Sequence, residues 1–313
     1  MDTLHLVDPE LRPLLDVFLI SKLTADNLDE ARNRSMPFPP PQDCDVLVEQ
    51  RMVPGPKGAP DVMLHIYRPN DAKASLPCIY HIHGGGYVLG AAKDYESLHK
   101  PLAADLGCAI ISVDYRLAPE TPFPGPIEDC YAGLAWTMTH AGDLGLDVAR
   151  VGVMGESAGG GLAAGLALLA RDRGEYTLAF QHLIYPMLDD RTCVTSEPHP
   201  VAGQFIWNVE NNHFGWSALL GHEPGRADVS PYAAPARAKI LTGLPPTFIN
   251  SGALDIFVDE DIEYARRLMR AGVATELHVY PGAFHGFNMA PGARVADAAR
   301  RDSTAALKRF LFG

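Results

Sequence analysis

The sequence lacks the cysteine pattern of a disulfide framework or a zinc site. Its five cysteines are odd in number, scattered through 313 residues and never arranged as a CxxC pair: Cys44, Cys78, Cys108, Cys130 and Cys193. This pattern is typical of reduced thiols. It predicts a cytoplasmic protein without a metal site.

Positive charge is also scarce. The chain has 26 Lys and Arg against 38 Asp and Glu, which gives a formal net charge of −12. Nucleic acids and anionic membrane surfaces would repel such a chain, so neither is expected as a partner. No run approaches the roughly 20 apolar residues of a membrane span. Over residues 1–23, charged side chains interrupt the apolar ones, which predicts an amphipathic helix rather than a signal peptide.

Apolar residues make up 47% of the sequence, and they form short runs that alternate with helical patterns. Buried strands are predicted near 78–82, 109–113, 151–154, 178–185, 247–250 and 276–280. Helices are predicted near 95–106, 127–140, 158–171, 259–271 and 296–312. Runs near 46–52 and 62–67 flank a Pro- and Gly-rich turn and predict a hairpin at the sheet edge. Together they predict an α/β fold, with a mostly parallel sheet and helices on both faces.

Two stretches depart from this alternation and are predicted to form a helical cap over the sheet. The chain is therefore divided into an N-terminal helical cap segment (1–42), a first part of the core (43–188), a cap insertion (189–235) and a second part of the core (236–313). Six aromatic residues lie in the cap stretches: Phe18, Phe38, Phe205, Trp207, Phe214 and Trp216. Each of them could line a pocket or pack in the interior of the cap, and for any single one we favour the interior of the cap.

The segment Gly155-Glu156-Ser157-Ala158-Gly159 matches G-x-S-x-G. It stands between an apolar strand and a helix of small residues, which is the setting of a nucleophile elbow. Glycines flank the serine because it occupies a tight turn, where a nearby β-carbon would clash. The turn also places the hydroxyl at a helix N-terminus, which favours developing negative charge. Taken alone, the motif is also compatible with an incidental serine in a glycine-rich turn.

A second motif, His83-Gly84-Gly85-Gly86, directly follows the strand near 78–82. Three glycines leave backbone N–H groups free of neighbouring side chains, so that they can donate to a substrate oxyanion. A phosphate-binding loop is the competing reading, but no GKS, GKT or G-x-G-x-x-G motif accompanies the glycines. An ordinary glycine turn remains the other alternative.

A serine needs a base to take its proton, and the base needs an acid to orient it. His285 follows the last predicted strand in a Gly-containing loop, and Asp255 follows the strand near 247–250. In this order both would reach the same sheet edge as Ser157. The neighbouring acids Asp259, Glu260 and Asp261 begin a helix, and we expect them to be ordinary partners of the helix dipole. His81 and His83 lack an accompanying carboxylate cluster, so a metal site is not expected there.

With these residues in hand, the sequence resembles the hormone-sensitive-lipase-like carboxylesterases, also called bacterial family IV esterases. The similarity extends over about 76–286. Besides the two glycine motifs, it includes Asp-Tyr-Arg-Leu-Ala-Pro-Glu at 114–120, Phe-Pro at 123–124, Leu-Pro-Pro at 244–246 and Phe-His-Gly-Phe at 284–287. Family members often have Asp-Pro-Leu at the catalytic acid, whereas this chain has Asp255-Ile256-Phe257.

The resemblance implies an α/β-hydrolase fold and hydrolysis of short- to medium-chain acyl esters of small molecules, without a cofactor. It implies Ser157, His285 and Asp255 as the catalytic triad. It also implies an oxyanion hole formed by the N–H groups of Gly85, Gly86 and Ala158. His83, Gly84, Gly155, Glu156 and Gly159 support these motifs, and Glu156 is expected to form a local hydrogen bond rather than react. A homodimer through the edge strand near 276–280 is a further expectation from the family.

Three other functions use the same fold. Plant gibberellin receptors bind ligands without catalysis, but they have lost the triad histidine, whereas His285 lies here in a full motif. Hydrolysis of amides, carbamates or organophosphates uses the same residues and stays open as a side activity. A true lipase is disfavoured because the cap segment is polar and lacks a long apolar lid.

Overall fold

A computed structural model describes residues 3–17, 22–34, 38–40, 42–70 and 75–313. At its centre is a sheet of eight strands: β1 (Val46–Val53), β2 (Val62–Pro69), β3 (Leu76–Ile82), β4 (Ala109–Asp114), β5 (Leu146–Glu156), β6 (Gln181–Ile184), β7 (Thr247–Gly252) and β8 (Thr275–Tyr280). Their order across the sheet is β1-β2-β4-β3-β5-β6-β7-β8. The pairs β1–β2 and β2–β4 are antiparallel, and all other neighbours are parallel. The predicted edge hairpin and the mostly parallel sheet are confirmed.

Nine α-helices lie in the described residues: α1 (Arg12–Val17), α2 (Leu28–Arg32), α3 (Glu96–Leu106), α4 (Gly125–Thr139), α5 (Ala141–Leu144), α6 (Ala158–Arg173), α7 (Val209–Leu220), α8 (Val258–Arg270) and α9 (Arg294–Phe312). The five helices predicted in the core correspond to α3, α4, α6, α8 and α9. None of the described helices combines the length and the apolar character that a bilayer-spanning segment needs.

Small residues bring α6 close to the sheet. Every residue of α6 from Ala158 to Ala170 is buried, because the helix lies between the sheet and the elements outside it. A β-carbon on Gly159 would lie 2.1 Å from the carbonyl oxygen of Ile82, and one on Gly161 would lie 2.1 Å from that of Met187. The glycines therefore set how closely α6 approaches the end of β3, where the site is built.

The two largest differences from the predicted strand bounds are in β5 and β6. β5 begins at Leu146, where it pairs with Leu76. The residues that follow Leu146 are partly or fully exposed, so no apolar run predicted a strand there. β6 ends at Ile184 because the backbone of Tyr185 has a φ of 34°, a value that lies outside the extended region.

The two stretches predicted as a cap contain helices of their own. α7 lies in 189–235 and is capped by Asn208, the residue before it, whose side chain accepts a hydrogen bond from the backbone N–H of Asn211. α1 lies in the N-terminal segment and buries Leu14. Phe18 falls outside the described residues. The division into 1–42, 43–188, 189–235 and 236–313 stays a prediction.

Candidate active site

Ser157 lies in the turn between β5 and α6. Its backbone has φ 56° and ψ −123°, a conformation that residues with a β-carbon rarely adopt. Its N–H donates to the carbonyl oxygen of Ile184 at 2.9 Å, and its carbonyl oxygen accepts from the N–H groups of Gly161 at 3.0 Å and Met187 at 2.9 Å. These bonds hold the strained turn and direct the hydroxyl away from the sheet. The side chain is 6% exposed.

His285 and Asp255 meet Ser157 at the carboxyl edge of the sheet. The hydroxyl oxygen of Ser157 lies 2.9 Å from Nε2 of His285. Nδ1 of His285 lies 2.8 Å from Oδ2 of Asp255, which is fully buried. The other carboxylate oxygen of Asp255 accepts the N–H of Phe257 at 3.1 Å, so both carboxylate oxygens have partners. The structure thus brings together three residues that are 30 and 128 positions apart in the chain.

The glycine run lies beside Ser157 and follows β3. Gly85 and Gly86 have φ values of +121° and +61°, which favour glycine. A β-carbon on Gly85 would lie 2.1 Å from the carbonyl oxygen of Leu89, and one on Gly86 would lie 2.2 Å from the ring of Trp207. A side chain at either position would therefore strain the backbone and clash with its neighbours. Gly84 also lies here, and its N–H donates to the hydroxyl of Tyr95 at 3.2 Å.

His83 and Tyr115 support this loop from beneath. Their rings stack with centroids 4.3 Å apart, and the hydroxyl of Tyr115 donates to the carbonyl oxygen of His83 at 2.9 Å. Nδ1 of His83 lies 2.8 Å from the carbonyl oxygen of Gly84, so it is the protonated nitrogen of a neutral ring. Arg116 forms a two-point ion pair with the buried Asp129, at 2.7 and 2.8 Å. Tyr115 thus holds His83 at the start of the loop, and Asp129 holds Arg116 beside Tyr115.

The side chain of Glu156 hydrogen-bonds to a residue of the neighbouring strand β3. Its Oε2 lies 2.9 Å from Nε2 of His81, and Nδ1 of His81 lies 2.8 Å from the hydroxyl oxygen of Ser112. Burial raises the pKa of Glu156 to about 8. Burial, helped by the neighbouring His83, lowers the pKa of His81 well below its ordinary value. Both shifts favour the neutral forms, in which the protonated carboxyl donates to Nε2 of His81 and Nδ1 of His81 donates to Ser112.

Sequence reasoning missed His81 and Ser112 as partners of Glu156. The signal was present as alternation: in His81-Ile82-His83 both histidines lie on one face of a strand end, and that face carries Glu156. Asp259, Glu260 and Asp261 lie in the first turn of α8, as predicted, but Glu260 and Asp261 are buried there. Oε1 of Glu260 accepts the N–H groups of Leu188 at 2.6 Å and Asp189 at 3.1 Å. The reason is that the chain after β6 turns against α8 and needs an acceptor there.

A cavity of about 110 Å³ adjoins Ser157, and its lining includes the three glycines, Trp207, His285 and Met289. Nε1 of Trp207 donates to Oδ1 of Asn212 at 3.2 Å, which holds the ring over the cavity. Of the other cap aromatics, Phe38 lines the same cavity, whereas Trp216 is fully buried against Tyr87. Among the described residues, no group of three or more His, Cys, Asp or Glu side chains could hold a metal ion.

Comparison with known proteins agrees with this geometry. A family model described as α/β-hydrolase fold matches residues 79–289. Carboxylesterase NlhH of Mycobacterium tuberculosis is 36% identical over 97% of this chain and 96% of its own length. Esterase LipI of the same organism is 33% identical, over 90% of this chain and 88% of its own.

Solved structures are similar over nearly the whole chain. A bacterial heroin esterase has a TM-score of 0.89 and 39% identity, and the match covers 99% of this chain and all of that one. A hyperthermophilic esterase from Pyrobaculum calidifontis has a TM-score of 0.84 and 30% identity, with 97% and 98% covered. The chain is a carboxylesterase that belongs to the α/β-hydrolase family, in its hormone-sensitive-lipase-like branch.

Proposed function

We propose that the protein hydrolyses short- to medium-chain acyl esters, with Ser157 as nucleophile, His285 as general base and Asp255 as the acid that orients it. The observation that carries this proposal is the continuous hydrogen-bonded series from the hydroxyl of Ser157 through His285 to Asp255, at 2.9 and 2.8 Å. Both distances are within direct proton-transfer reach. The burial of Asp255 strengthens its interaction with the imidazolium that forms during the reaction.

The reaction then has two halves. Nε2 of His285 takes the proton of Ser157 as its oxygen attacks the ester carbonyl. The same nitrogen gives that proton to the departing alcohol, which leaves an acyl group on Ser157. Water repeats the sequence: it loses a proton to His285, attacks the acyl carbonyl and releases the acid, while Ser157 regains its proton. No cofactor takes part in these steps.

The N–H groups of Gly85, Gly86 and Ala158 are proposed to hold the oxyanion. Support comes from the positive φ values of Gly85 and Gly86, and from the position of Ala158 at the first turn of α6. Free N–H groups and the positive end of the helix dipole favour an anion at this place. A donor of this type contributes roughly 3–4 kcal/mol to transition-state stabilisation.

The preference for short and medium chains is supported by the small cavity at Ser157, about 110 Å³, which Trp207 bounds. Residues 1–42 and 189–235 are proposed to act as the cap, since Phe38 and Trp207 come from these stretches and line the cavity. A cytoplasmic location is also proposed. It is supported by the five cysteines, all of which are free and four of which are buried.

Hydrolysis of p-nitrophenyl esters from acetate to palmitate tests the proposal. We expect wild type to turn over short and medium esters, with kcat/KM falling steeply for long ones. Ser157→Ala should reduce kcat by at least about a thousandfold, because no other group can form the acyl-enzyme. The exposed Ser196→Ala is the matched control and should keep the activity of wild type.

Two results would contradict the proposal. Folded wild-type protein without turnover on any ester would exclude the assigned reaction. Activity that survives in Ser157→Ala would mean that another residue is the nucleophile.

A further inference from the structure

The two hydrogen bonds of His285 do not by themselves fix the orientation of its ring. They hold Nε2 at 2.9 Å from the hydroxyl oxygen of Ser157 and Nδ1 at 2.8 Å from Asp255. Two fixed points define a line, and a planar ring can still tilt about that line while both distances are kept. Tilting turns each nitrogen out of alignment with its partner, and hydrogen bonds weaken steeply as alignment is lost. Proton transfer from Ser157 therefore needs a further contact that fixes the tilt.

Two aromatic rings contact that of His285 among the residues that the structure describes. The centroid of the Tyr185 ring lies 4.7 Å from that of His285, at an interplanar angle of 65°, and the centroid of the Phe257 ring lies 5.2 Å away, at 85°. Both angles are those of edge-to-face contact. Protein interiors are close-packed, so a tilting imidazole would collide with one of these rings or open a gap beside it. The two rings thus restrict the one movement that the hydrogen bonds leave free.

Phe257 is connected to two members of the triad. Its ring contacts His285, and its backbone N–H donates to Oδ1 of Asp255 at 3.1 Å. Its carbonyl oxygen accepts the N–H of Asp261 at 2.9 Å, which ties it to the first turn of α8. The side chain is fully buried and does not line the cavity at Ser157. The ring can therefore act on the reaction through His285 and not through contact with a substrate.

Tyr185 is fixed at both ends. Its backbone N–H donates to the carbonyl oxygen of Asn250 at 2.7 Å, and its hydroxyl donates to Oδ1 of Asn288 at 2.7 Å. Burial raises the pKa of Tyr185 well above its ordinary value, so the hydroxyl keeps the proton that it donates. Its φ of 34° is strained for a residue with a β-carbon, and strain of this kind persists only where the surroundings impose it. The ring of Tyr185 is therefore a rigid surface against which His285 packs.

On the basis of the proposed triad, we propose that Phe257 and Tyr185 are positioning residues that fix the tilt of His285. Neither side chain gains or loses a proton in the reaction. His285 moves a proton in the formation of the acyl-enzyme and again in its hydrolysis, so a loss of alignment slows both steps together. KM depends on substrate binding and on the ratio of these two rates, so it stays nearly constant while kcat falls. A loss of kcat without a change in KM is thus the signature of the positioning role.

The test compares two buried phenylalanines that pack on different histidines. Phe257→Ala removes the ring beside His285. Phe248→Ala is the matched control, because Phe248 is also fully buried and stacks on His182, which takes no part in the proposed reaction, with centroids 4.4 Å apart. Both changes remove a core ring at a comparable cost in stability. Hydrolysis of p-nitrophenyl acetate is measured at a temperature at which circular dichroism shows both variants to be folded.

We expect kcat to fall about ten- to a hundredfold in Phe257→Ala, with KM within about twofold of wild type, because a small displacement of a catalytic group is enough for such a loss. Phe248→Ala should keep kcat within about twofold of wild type, since its ring touches no group that reacts. Equal kcat in the two variants, or a change in KM as large as that in kcat, overturns the role of Phe257.

A second pair of variants tests the other ring, and it also applies if Phe257→Ala does not fold. Tyr185→Phe and Tyr185→Ala both lose the hydroxyl, but only Tyr185→Phe keeps a ring against His285. Tyr185 also lines the cavity at Ser157, so KM responds to both changes and kcat is the quantity compared. We expect kcat of Tyr185→Ala to be at least about tenfold below that of Tyr185→Phe. Equal values overturn the role of Tyr185.

Failure of the proposed function is recognised separately. If folded wild type hydrolyses no ester, the proposed function fails, and the low-field proton NMR resonance of the Nδ1–H that His285 donates to Asp255 tests the positioning role instead. A tilting ring opens this hydrogen bond to exchange with water, so we expect a broader resonance in Phe257→Ala than in Phe248→Ala. Equal line widths in the two variants overturn the proposal.

Discussion

Ser157 and Glu156 are adjacent, but Ser157 has a strained backbone, whereas Glu156 has an unstrained backbone and a buried carboxyl. Ser157 holds a backbone conformation with φ 56°, a strain of order 1–3 kcal/mol that the hydrogen bonds of the turn maintain. Glu156 has a relaxed strand conformation, but its carboxyl is kept neutral by burial. The strained residue offers its hydroxyl to His285, and the neutral one joins the turn to β3 through His81.

The neutral state of Glu156 predicts a pH dependence of stability. Burial raises its pKa from an ordinary value of 4.5 to about 8, so between these pH values the folded protein binds a proton that the unfolded chain has lost. Folding stability due to this group is therefore present at low pH and lost as pH rises towards 8. Glu156→Gln cannot titrate, and its amide can still donate to His81. From pH 5.5 to 8.5 we expect the variant to gain about 2–3 kcal/mol relative to wild type, or a few degrees in Tm.

Thermal unfolding of both proteins at the two pH values measures this difference. The titratable side chains around Glu156 are His81, His83, Tyr95 and Tyr185; burial lowers the pKa of the histidines and raises that of the tyrosines. All four are thus neutral across the range and present in both proteins, so their contribution cancels. A difference in Tm that does not change with pH would mean that Glu156 is ionised in the folded protein.

At the scale of elements, the site depends on how closely α6 approaches β3. The helix carries Ala158 and follows Ser157, while the loop after β3 carries the glycine run. Gly159 is the contact between them, since a β-carbon there would lie 2.1 Å from the carbonyl oxygen of Ile82 and 2.5 Å from that of His83. Backbone oxygens cannot move aside as a flexible side chain can.

Gly159→Ala should therefore displace the first turn of α6 from the glycine run. We expect a loss of about 2 kcal/mol or more in the free energy of unfolding, together with a clear fall in kcat/KM. Urea unfolding and ester hydrolysis measure the two effects. Gly142→Ala in α5 is the matched control: no atom lies within 4 Å of the added carbon, so stability should hold or rise by about 0.5–1 kcal/mol. Equal behaviour of the two variants would show that the close approach is not required.

At the scale of the whole molecule, β8 is the last strand of the sheet, and its outer edge has no partner strand among the described residues. Unpaired strand edges are prone to pair with another chain, and two-fold symmetry is the common way in which identical chains do so. We propose a homodimer in which two β8 strands pair antiparallel. Val279 is the penultimate residue of β8 and is 39% exposed.

Light scattering after size-exclusion chromatography tests the dimer. Wild type should have about twice the 33.8 kDa mass of one chain. Val279→Lys adds a charge to each copy at the proposed interface and disfavours edge pairing, so its mass should fall towards that of the monomer. Val148→Lys, 51% exposed at the start of β5, adds the same charge elsewhere and should stay dimeric. A monomeric wild type at micromolar concentration would contradict the proposal.

The order of strands and helices, the parallel sheet and the turn around Ser157 could all be predicted from residue patterns. The physical reason is that these features are local. Apolar runs and helical spacing depend on neighbouring residues, and a strained turn needs glycines within two positions of the serine. The predicted strands and helices of the core therefore correspond closely to the observed ones. The ends of β5 and β6 differ because a strand end depends on what its neighbours in the sheet offer.

Contacts between side chains that are far apart in the chain depended instead on how the elements pack. Glu156 meets His81 across two strands, Glu260 is buried against the chain after β6, and Trp207 rather than Trp216 reaches the cavity at Ser157. The ring of His285 contacts those of Tyr185, after β6, and Phe257, before α8, although these residues are far apart in the chain. Burial and pairing of this kind depend on which surfaces pack together. Residue patterns within one element show which of its faces is apolar, but they do not show which other element packs against that face.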